Sequence, residues 1–315
     1  MIQRFTGKNR LSVIWAVFLF LPLFTSCVLL SGGGGFTDEQ LPQLFPAEAG
    51  IPPPVWEPLA PGIDICSFSD SSVPLTLYGA RIDLKSPGLT VIMTSPPPDG
   101  TGGVSREFSG ETTLEFARRT GSLLAVNASP FNAPEGMLNR PRSAIGLALY
   151  RGVSYGEPPM VPRYGALLFM EDGGARIIPR QEESLVPPET VYAAGGFYPL
   201  LENGTILPPV NRIFDSRTAA GTAASGSILY LLVAEGEYPS RSRGLTFEES
   251  AAWLLWLGAE DGLSLDGGGS SAIVVRTSGG KYEILNKLYF PFNKGHIVGN
   301  NIGFSTSRQI SLNGK

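Results

Sequence analysis

The run GSILYLLVAEG (226–236) constrains the fold of this chain more than any other stretch. Its central residues, Ile228 to Ala234, are apolar or aromatic without a break. A strand with one wet face alternates apolar and polar side chains, whereas a strand covered on both faces does not need to. The run therefore predicts a buried central strand with a packing layer on each side.

Shorter segments of the same character surround it. LTLYGARID (75–83) and LTVIMT (89–94) flank the turn signal KSPG, and LLAVN (123–127), AIGLALY (144–150), YGALLFM (164–170), ARIIP (175–179) and 297–305 read as further strands. Two helices carry their own punctuation. Thr112 and Glu115 form a capping box and Gly121 stops the first helix; Thr246 and Glu249 open the second, which ends at Gly258. Phe247, Ala251, Leu254 and Leu255 give the second helix an apolar stripe, with Trp253 and Trp256 widening it as core packing. With 39 Gly and 27 Pro in 315 residues, many turns and short strands are favoured over a helical bundle. The fold class expected is α+β: a single domain of strongly curved, mixed β-sheets flanked by a few helices.

The N-terminus reads differently. Arg4, Lys8 and Arg10 precede the apolar stretch Leu11–Phe24, which ends in Thr25-Ser26-Cys27. Small residues before a cysteine resemble the lipobox of bacterial lipoproteins, with Phe24 where leucine is usual. Residues 1–26 are thus expected to be a lipoprotein-type signal, with Cys27 the lipidated residue; a plain signal peptide or an uncleaved anchor is the alternative. Residues 27–61, with SGGGG and PAEAGIPPP, read as a flexible, then stiffer tether, and 62–315 as the folded domain. The location expected is the bacterial envelope or beyond, with membrane contact only through the N-terminus. Removing the leader takes three bases and no acid, moving the net charge from −4 to −7. That argues against a nucleic-acid partner, which would want a basic face. Cys66 is then alone, and reads as a small buried hydrophobe.

The chemistry concentrates in LSLDGGGSSAIVV (263–275). Three glycines let a ligand approach backbone N–H groups, which in such a turn can form an anion-binding nest. Asp266 stands at the end of an apolar run, and Ser270 and Ser271 add hydroxyls. A tight structural turn capped by Asp266 is the bland alternative. Other polar residues interrupt apolar runs: Asn127, Arg217, Thr218, Glu235, and Asn300 with Asn301. His296 is the sole histidine, and no Cys/His cluster suggests zinc. No cofactor or metal is expected, although a cation such as calcium held by oxygen ligands stays open.

Taken in order, these pieces resemble the phosphodiester glycosidase family. LSLDGGGSSAIVV matches its "LDGGGSS" signature, RTAAGTAASGSILYLLVAEG its "RTAxG…LLLVVDG", AVNASPF its "AINGGFF", AAGGFYPLLENG its "GGxPLLxDG", and VGNNIGF its "VANALGV". The resemblance runs from about Leu75 to Ser305. It departs at Glu235, where the family has Asp; at Ala128 and Pro130; near His296, where Arg is common; and in PSRSRG (239–244), which carries two extra arginines.

The resemblance implies hydrolysis at an anomeric carbon that bears a phosphodiester; the eukaryotic member removes N-acetylglucosamine in this way. For this chain it implies an exported hydrolase of a sugar-1-phosphodiester in envelope or surface glycans. Matching motif positions puts Asn127, Arg217, Thr218, Asp266, Gly267, Gly268, Gly269, Ser270, Ser271 and Asn300 in the site. We read Arg217 as the phosphate holder, Asp266 or Glu235 as the acting carboxylate, the 267–271 loop as an anion cradle, and Asn127, Asn300 and Thr218 as substrate contacts. The rival reading is a non-catalytic surface lipoprotein that binds glycans or phosphosugars with the same groups. If those residues lay on different faces, the enzyme reading would fail.

Overall fold

The computed structural model describes residues 42–98, 105–156, 163–238, 240–289 and 295–307, all within one compact unit, Phe36–Lys315. The expected signal segment and Cys27 lie outside the described residues.

The long apolar run is the strand Ile228–Ala234. It lies inside an eight-stranded sheet, between Leu75–Asp83 and Arg217–Ala223, and the next strand across is Asp261–Ser264. Its side chains divide by parity. Leu229, Leu231 and Val233 enter one apolar core, while Tyr230, Leu232 and Ala234 enter another on the opposite face. Each face has its own cover, which removes the need for polar alternation.

The cover on the first face is a five-stranded sheet ordered Tyr282–Ile284, Ile273–Arg276, Leu124–Asn127, Asn301–Thr306 and Leu89–Met93. Leu124, Val126, Ile273, Val275, Ile302 and Phe304 point from it into the shared core. A second five-stranded sheet adds Leu167, Phe169, Ala175 and Ala194 to the same core. On the second face lies helix α2, Phe247–Leu257, with Trp253, Leu254 and Leu257 buried against the sheet. Helix α1, Thr113–Thr120, covers the outer face of the first five-stranded sheet through Phe116 and Ala117 on Ala125 and Val274. A packed sheet pair with a helix outside each sheet is a stable way to bury four apolar faces.

Both helices form as their caps dictate. Each has a complete capping box, Thr112 with Glu115 and Thr246 with Glu249, and each ends on a left-handed glycine, Gly121 or Gly258. Cys66 is buried and unpaired, packed as a core residue, and burial pushes its thiol up to about 12.

Three expectations are corrected. Every strand pair among the described residues is antiparallel, so the sheets are not mixed. KSPG is a turn, as expected, and it carries the chain from Leu75–Asp83 in the eight-stranded sheet to Leu89–Met93 in a different one. AIGLALY is not one strand, because Gly146 at φ +83° separates Pro141–Ala144 from Ala148–Tyr150. The part of the expected tether that is described, 42–61, is not a spacer. Glu57–Ala60 pairs with Ile63–Asp70, Leu44, Ile51 and Trp56 pack on the α2 core, and Pro52 accepts a hydrogen bond from Trp256 Nε1 at 2.8 Å. Proline-rich composition suggested an extended linker, but the scattered apolar residues within it have a groove to fill.

Candidate active site

Several strand ends meet at one edge of the sheet pair. Asn127 ends Leu124–Asn127, Glu235 and Glu237 follow Ile228–Ala234, Asp266 follows Asp261–Ser264, and Arg217 begins its strand opposite Ala234. The antiparallel registers therefore bring together residues up to 139 positions apart.

Asn127 is the knot. Its Nδ2 donates to the Asp266 carbonyl at 2.7 Å, and its Oδ1 accepts from Thr218 Oγ1 at 2.8 Å and the Ala272 amide at 3.1 Å. The side chains of Asn127 and Thr218 are buried, so they hold the loop and do not offer these atoms to a sugar. Asn300 is similar: its Oδ1 accepts the Ser129 amide at 2.7 Å, and its Nδ2 donates to Ser129 Oγ at 3.1 Å. The substrate contacts expected of Asn127, Thr218 and Asn300 are thus replaced by positioning roles.

The glycines of 267–269 do not form the open amide cradle expected of them. The Gly268 amide donates to the Ser216 carbonyl at 2.8 Å, and the amides of Ser270 and Ser271 close a tight turn on Gly267 and Gly268 at 3.1 Å each. The Gly267 amide serves the Asp266 carboxyl. The missing side chains make room for a neighbouring segment of the chain. A Cβ on Gly267 would stand 2.9 Å from the Ser216 carbonyl oxygen, and one on Gly268, which has φ +57°, would face the Asp215 carboxylate. Gly236 and Gly244 also press on the Asp215 backbone. Segment 215–217 is clasped on several sides by glycine.

That segment carries the residue which sequence reasoning missed. Asp215 has a buried Oδ1 without a hydrogen-bond partner, and loss of hydration raises its proton affinity against the pull of Arg217 and the Ser216 amide. Its charge acts on two further carboxyls. Asp266 keeps some solvent exposure, but desolvation pushes it up to about 7; hydrogen bonds from Ser270 and Gly267 oppose this and Asp215 adds to it. Glu237, exposed and held at φ +62°, is likewise raised to about 7 by desolvation and by Asp215. Carboxyls that share a site and lose hydration hold protons near neutral pH, as acid–base residues must. The sequence signal was slight: an acid two residues before a strand-opening arginine.

Arg217 is nearly buried and firmly aimed. Its Nε donates to the Leu245 carbonyl at 3.0 Å and its Nη2 to the Ile213 carbonyl at 2.7 Å, with the guanidinium carbon 4.2 Å from the Phe247 ring centroid. These use two of five donors, so the fork retains capacity for an anion. The position of a Cβ on Gly267 lies 3.9 Å from both Cα and Cδ of Arg217, which sets the arginine beside the Asp266 loop. Ser270 Oγ lies 3.3 Å from His296 Nδ1, and burial lowers His296 to about 4, which leaves it neutral at pH 7. The hydroxyl thus stands between Asp266 and the imidazole, an order that differs from a nucleophilic triad, where histidine is central. Ser271 Oγ is buried without a partner.

Glu235 is engaged elsewhere. Arg241 meets it with two bonds, Nε at 2.5 Å and Nη2 at 3.0 Å, and the Lys287 amide donates to it at 2.7 Å. The expected acting carboxylate at this position is instead an anchor for two loops. The second extra arginine, Arg243, is paired with Glu249 of the α2 capping box at 2.6 Å. Both departures in PSRSRG are therefore ion pairs that shape the rim. Among the described residues no group of His, Cys, Asp or Glu is arranged to hold a metal ion.

The comparisons with known proteins agree with this organisation. The family model for phosphodiester glycosidase matches residues 120–305. No curated protein matches the chain in sequence. Three solved structures are similar. A hypothetical protein from Synechocystis aligns at 15% identity and TM-score 0.56, over 82% of this chain and 64% of that one. A Burkholderia pseudomallei protein taken to be exported aligns at 17% identity and TM-score 0.51, over 73% and 74%. The catalytic domain of zebrafish N-acetylglucosamine-1-phosphodiester α-N-acetylglucosaminidase, auto-inhibited by its pro-peptide, aligns at 16% identity and TM-score 0.54, over 84% and 91%. At these identities the structures establish a shared fold.

Proposed function

The chain belongs to the phosphodiester glycosidase family, and from that premise we propose that it hydrolyses a sugar-1-phosphodiester at the anomeric carbon, in envelope or surface glycans, with an N-acetylglucosamine-like sugar as the expected glycosyl group. The observation that carries this reading is the adjacency of Arg217 to the Asp266 loop across Gly267. It sets the stem of an arginine beside the loop that carries a carboxyl raised to about 7, with the charge of Asp215 acting on both.

In the proposed reaction Arg217 receives the phosphate oxygens. Asp266, in its ionised form, takes a proton from water as the water oxygen bonds to the anomeric carbon. The bond from that carbon to the phosphate oxygen breaks, and its electron pair leaves with the phosphate monoester. Phosphate is a good leaving group, so little proton donation is needed at that oxygen. The proton held on Asp266 passes to solvent or to the product. Desolvation, with a smaller contribution from the charge of Asp215, keeps the proton affinity of Asp266 near neutrality, and Ser270 orients its carboxyl. Asn127 and Thr218 hold the loop in place. Each step uses residues of the chain itself.

For location, we propose export with lipidation at Cys27 and residues 28–41 as a tether. The basic, apolar, small-residue order of the N-terminus supports this. Among the described residues no helix is long and apolar enough to cross a membrane. Loss of labelled palmitate in Cys27→Ser would test the anchor.

The reaction is tested on a panel of sugar-1-phosphodiesters with wild type, Asp266→Asn and Arg217→Ala, following free sugar and phosphate monoester. Proton NMR of the first anomer released reads the stereochemical course. Turnover in wild type and its loss by roughly 100-fold or more in the folded variants is expected. Saturable binding without turnover would favour the binding-only reading, and full activity in both variants would refute the assigned roles.

A further inference from the structure

A group of rings lies beside this edge, and only Tyr198 among them packs against the α2-side core. Tyr164, Phe197 and Tyr198 are half-buried, and Arg163 next to them is exposed. Tyr164 stands edge-on to both partners, at 5.2 Å and 89° to Phe197 and at 5.4 Å and 90° to Tyr198. The guanidinium carbon of Arg163 lies 5.2 Å from the Tyr198 ring centroid. Desolvation raises the Tyr164 phenol to about 12, and Tyr198 beside it adds to the rise.

The group is fixed to the strand that delivers Asp266. The Phe197 amide donates to the Ser264 carbonyl at 2.7 Å, and the Ser264 amide donates to the Tyr198 carbonyl at 2.9 Å. Asp266 follows two residues later. Tyr198 also touches Phe247 edge-on at 5.4 Å, and Phe247 carries the Arg217 guanidinium. A continuous line of ring and cation contacts thus runs from Arg163, through Tyr198 and Phe247, to Arg217.

Aromatic rings with polar edges suit sugars: the apolar face of a pyranose covers a ring, and hydroxyls meet the phenols. A guanidinium at the far end suits a phosphate or carboxylate. Two cations with aromatic surface between them match a chain in which sugars alternate with anionic groups.

We propose that Arg163, Tyr164, Phe197 and Tyr198 form a second subsite, which binds the next sugar and the next anionic group of a repeating sugar-phosphate glycan while its anomeric phosphodiester sits at Asp266 and Arg217. This rests on the proposed hydrolysis and extends it from a single linkage to a polymer. The ledge makes the enzyme selective for chains over single sugar phosphodiesters.

The test compares an oligomer of sugar-phosphate repeats with a chromogenic monomeric sugar-1-phosphodiester, using wild type, Arg163→Ala and Tyr164→Ala. The ratio of kcat/KM for oligomer over monomer is expected to fall roughly ten-fold in each variant, carried by KM, as for loss of one charge-assisted or stacking contact. An unchanged ratio in Arg163→Ala, whose side chain is exposed and can be removed without disturbing the core, would overturn the proposal. If wild type cleaves neither substrate, the hydrolytic reading fails and calorimetric titration of the oligomer still decides the ledge. Weaker binding by Arg163→Ala then supports it, and equal binding refutes it.

Discussion

Replacing Asp266 with asparagine should make the protein more stable as it makes it inactive, and the gain should grow with pH. The folded state raises this carboxyl from 3.8 to about 7. A raised carboxyl binds its proton more tightly folded than unfolded. Below about pH 4 both states hold the proton and nothing is lost. Between about 4 and 7 the unfolded chain ionises first, so stability falls as pH rises; above about 7 the full penalty is present. A shift of that size corresponds to a ceiling of about 4 kcal/mol. Partial exposure of Asp266 and solvent screening reduce this to roughly 2 kcal/mol. Asparagine keeps an acceptor for Ser270 or the Gly267 amide and removes the charge that faces Asp215. Urea unfolding of wild type and Asp266→Asn at pH 5 and pH 8.5 gives the required difference, since Asp215 and Glu237 titrate in both proteins. The advantage of the variant should be larger at pH 8.5 by about 1 to 2 kcal/mol. If the gap is the same at both values, Asp266 does not hold a proton near neutrality, and its assignment as the acid–base group falls with it.

Further outcomes follow from the same geometry. Gly236→Ala drives a Cβ into the Ser216 amide and the Asp215 backbone and should cost more than about 3 kcal/mol by thermal or urea unfolding. Gly121→Ala, at φ +72° with open space around it, should cost only about 1 kcal/mol by the same measurement. Glu235→Gln weakens the Arg241 pair, and because Arg241 is half exposed and can rehydrate, the loss should be about 1 to 2 kcal/mol. The inflection near pH 7 in kcat/KM should persist in that variant, and its disappearance would return Glu235 to the chemistry. Asn127→Ala strands a carbonyl, an amide and a hydroxyl together and should cost about 2 to 4 kcal/mol, with Thr218→Val nearer 1 kcal/mol. Native-state hydrogen exchange should then show the 266–272 loop opening first.

What the sequence made legible is what local physics decides. Both helices announce themselves through side chains that satisfy their own first turns, so Thr112, Glu115, Thr246 and Glu249 were readable without the fold. The run 228–234 declared two covers because neither parity is polar. Less legible were the strands whose partners supply the reason for them. RTAAGTA is small and half polar, and becomes a fully buried strand only because Ile228–Ala234 and Asp261–Ser264 lie on either side of it. The polar residues at the strand ends were readable as a set, but the partners of their side chains were not. A polar residue at a strand end looks the same in sequence whether its atoms face a ligand, as expected for Asn127, or a neighbouring loop, as observed. Asp215 went unnoticed for a related reason: what marks it is a buried oxygen without a partner and three glycines from distant segments, none adjacent in sequence.

The glycines of LDGGGSS then have a physical explanation that unites the fold with the proposed chemistry. A carboxyl acquires a neutral-range proton affinity only if protein replaces water around it, and here the replacement is backbone. Ser216 and the Asp215 main chain press against Gly267, Gly236 and Gly244, while Gly268 faces the Asp215 carboxylate. Any side chain at these positions would wedge the strands apart and admit water to Asp215 and Asp266. Close packing of this kind tolerates coupled carboxyls because the layers beneath it, buried on both faces of Ile228–Ala234, fix the strand ends independently of the charges. The cost of desolvating Asp215 and Asp266 falls on an edge whose position the core has already determined, and Arg217, tied to two carbonyls and stacked on Phe247, cannot swing over to neutralise them fully. A site built in this way keeps its proton affinity in the absence of substrate, which is the condition for a carboxyl that must accept a proton from water when a phosphodiester arrives.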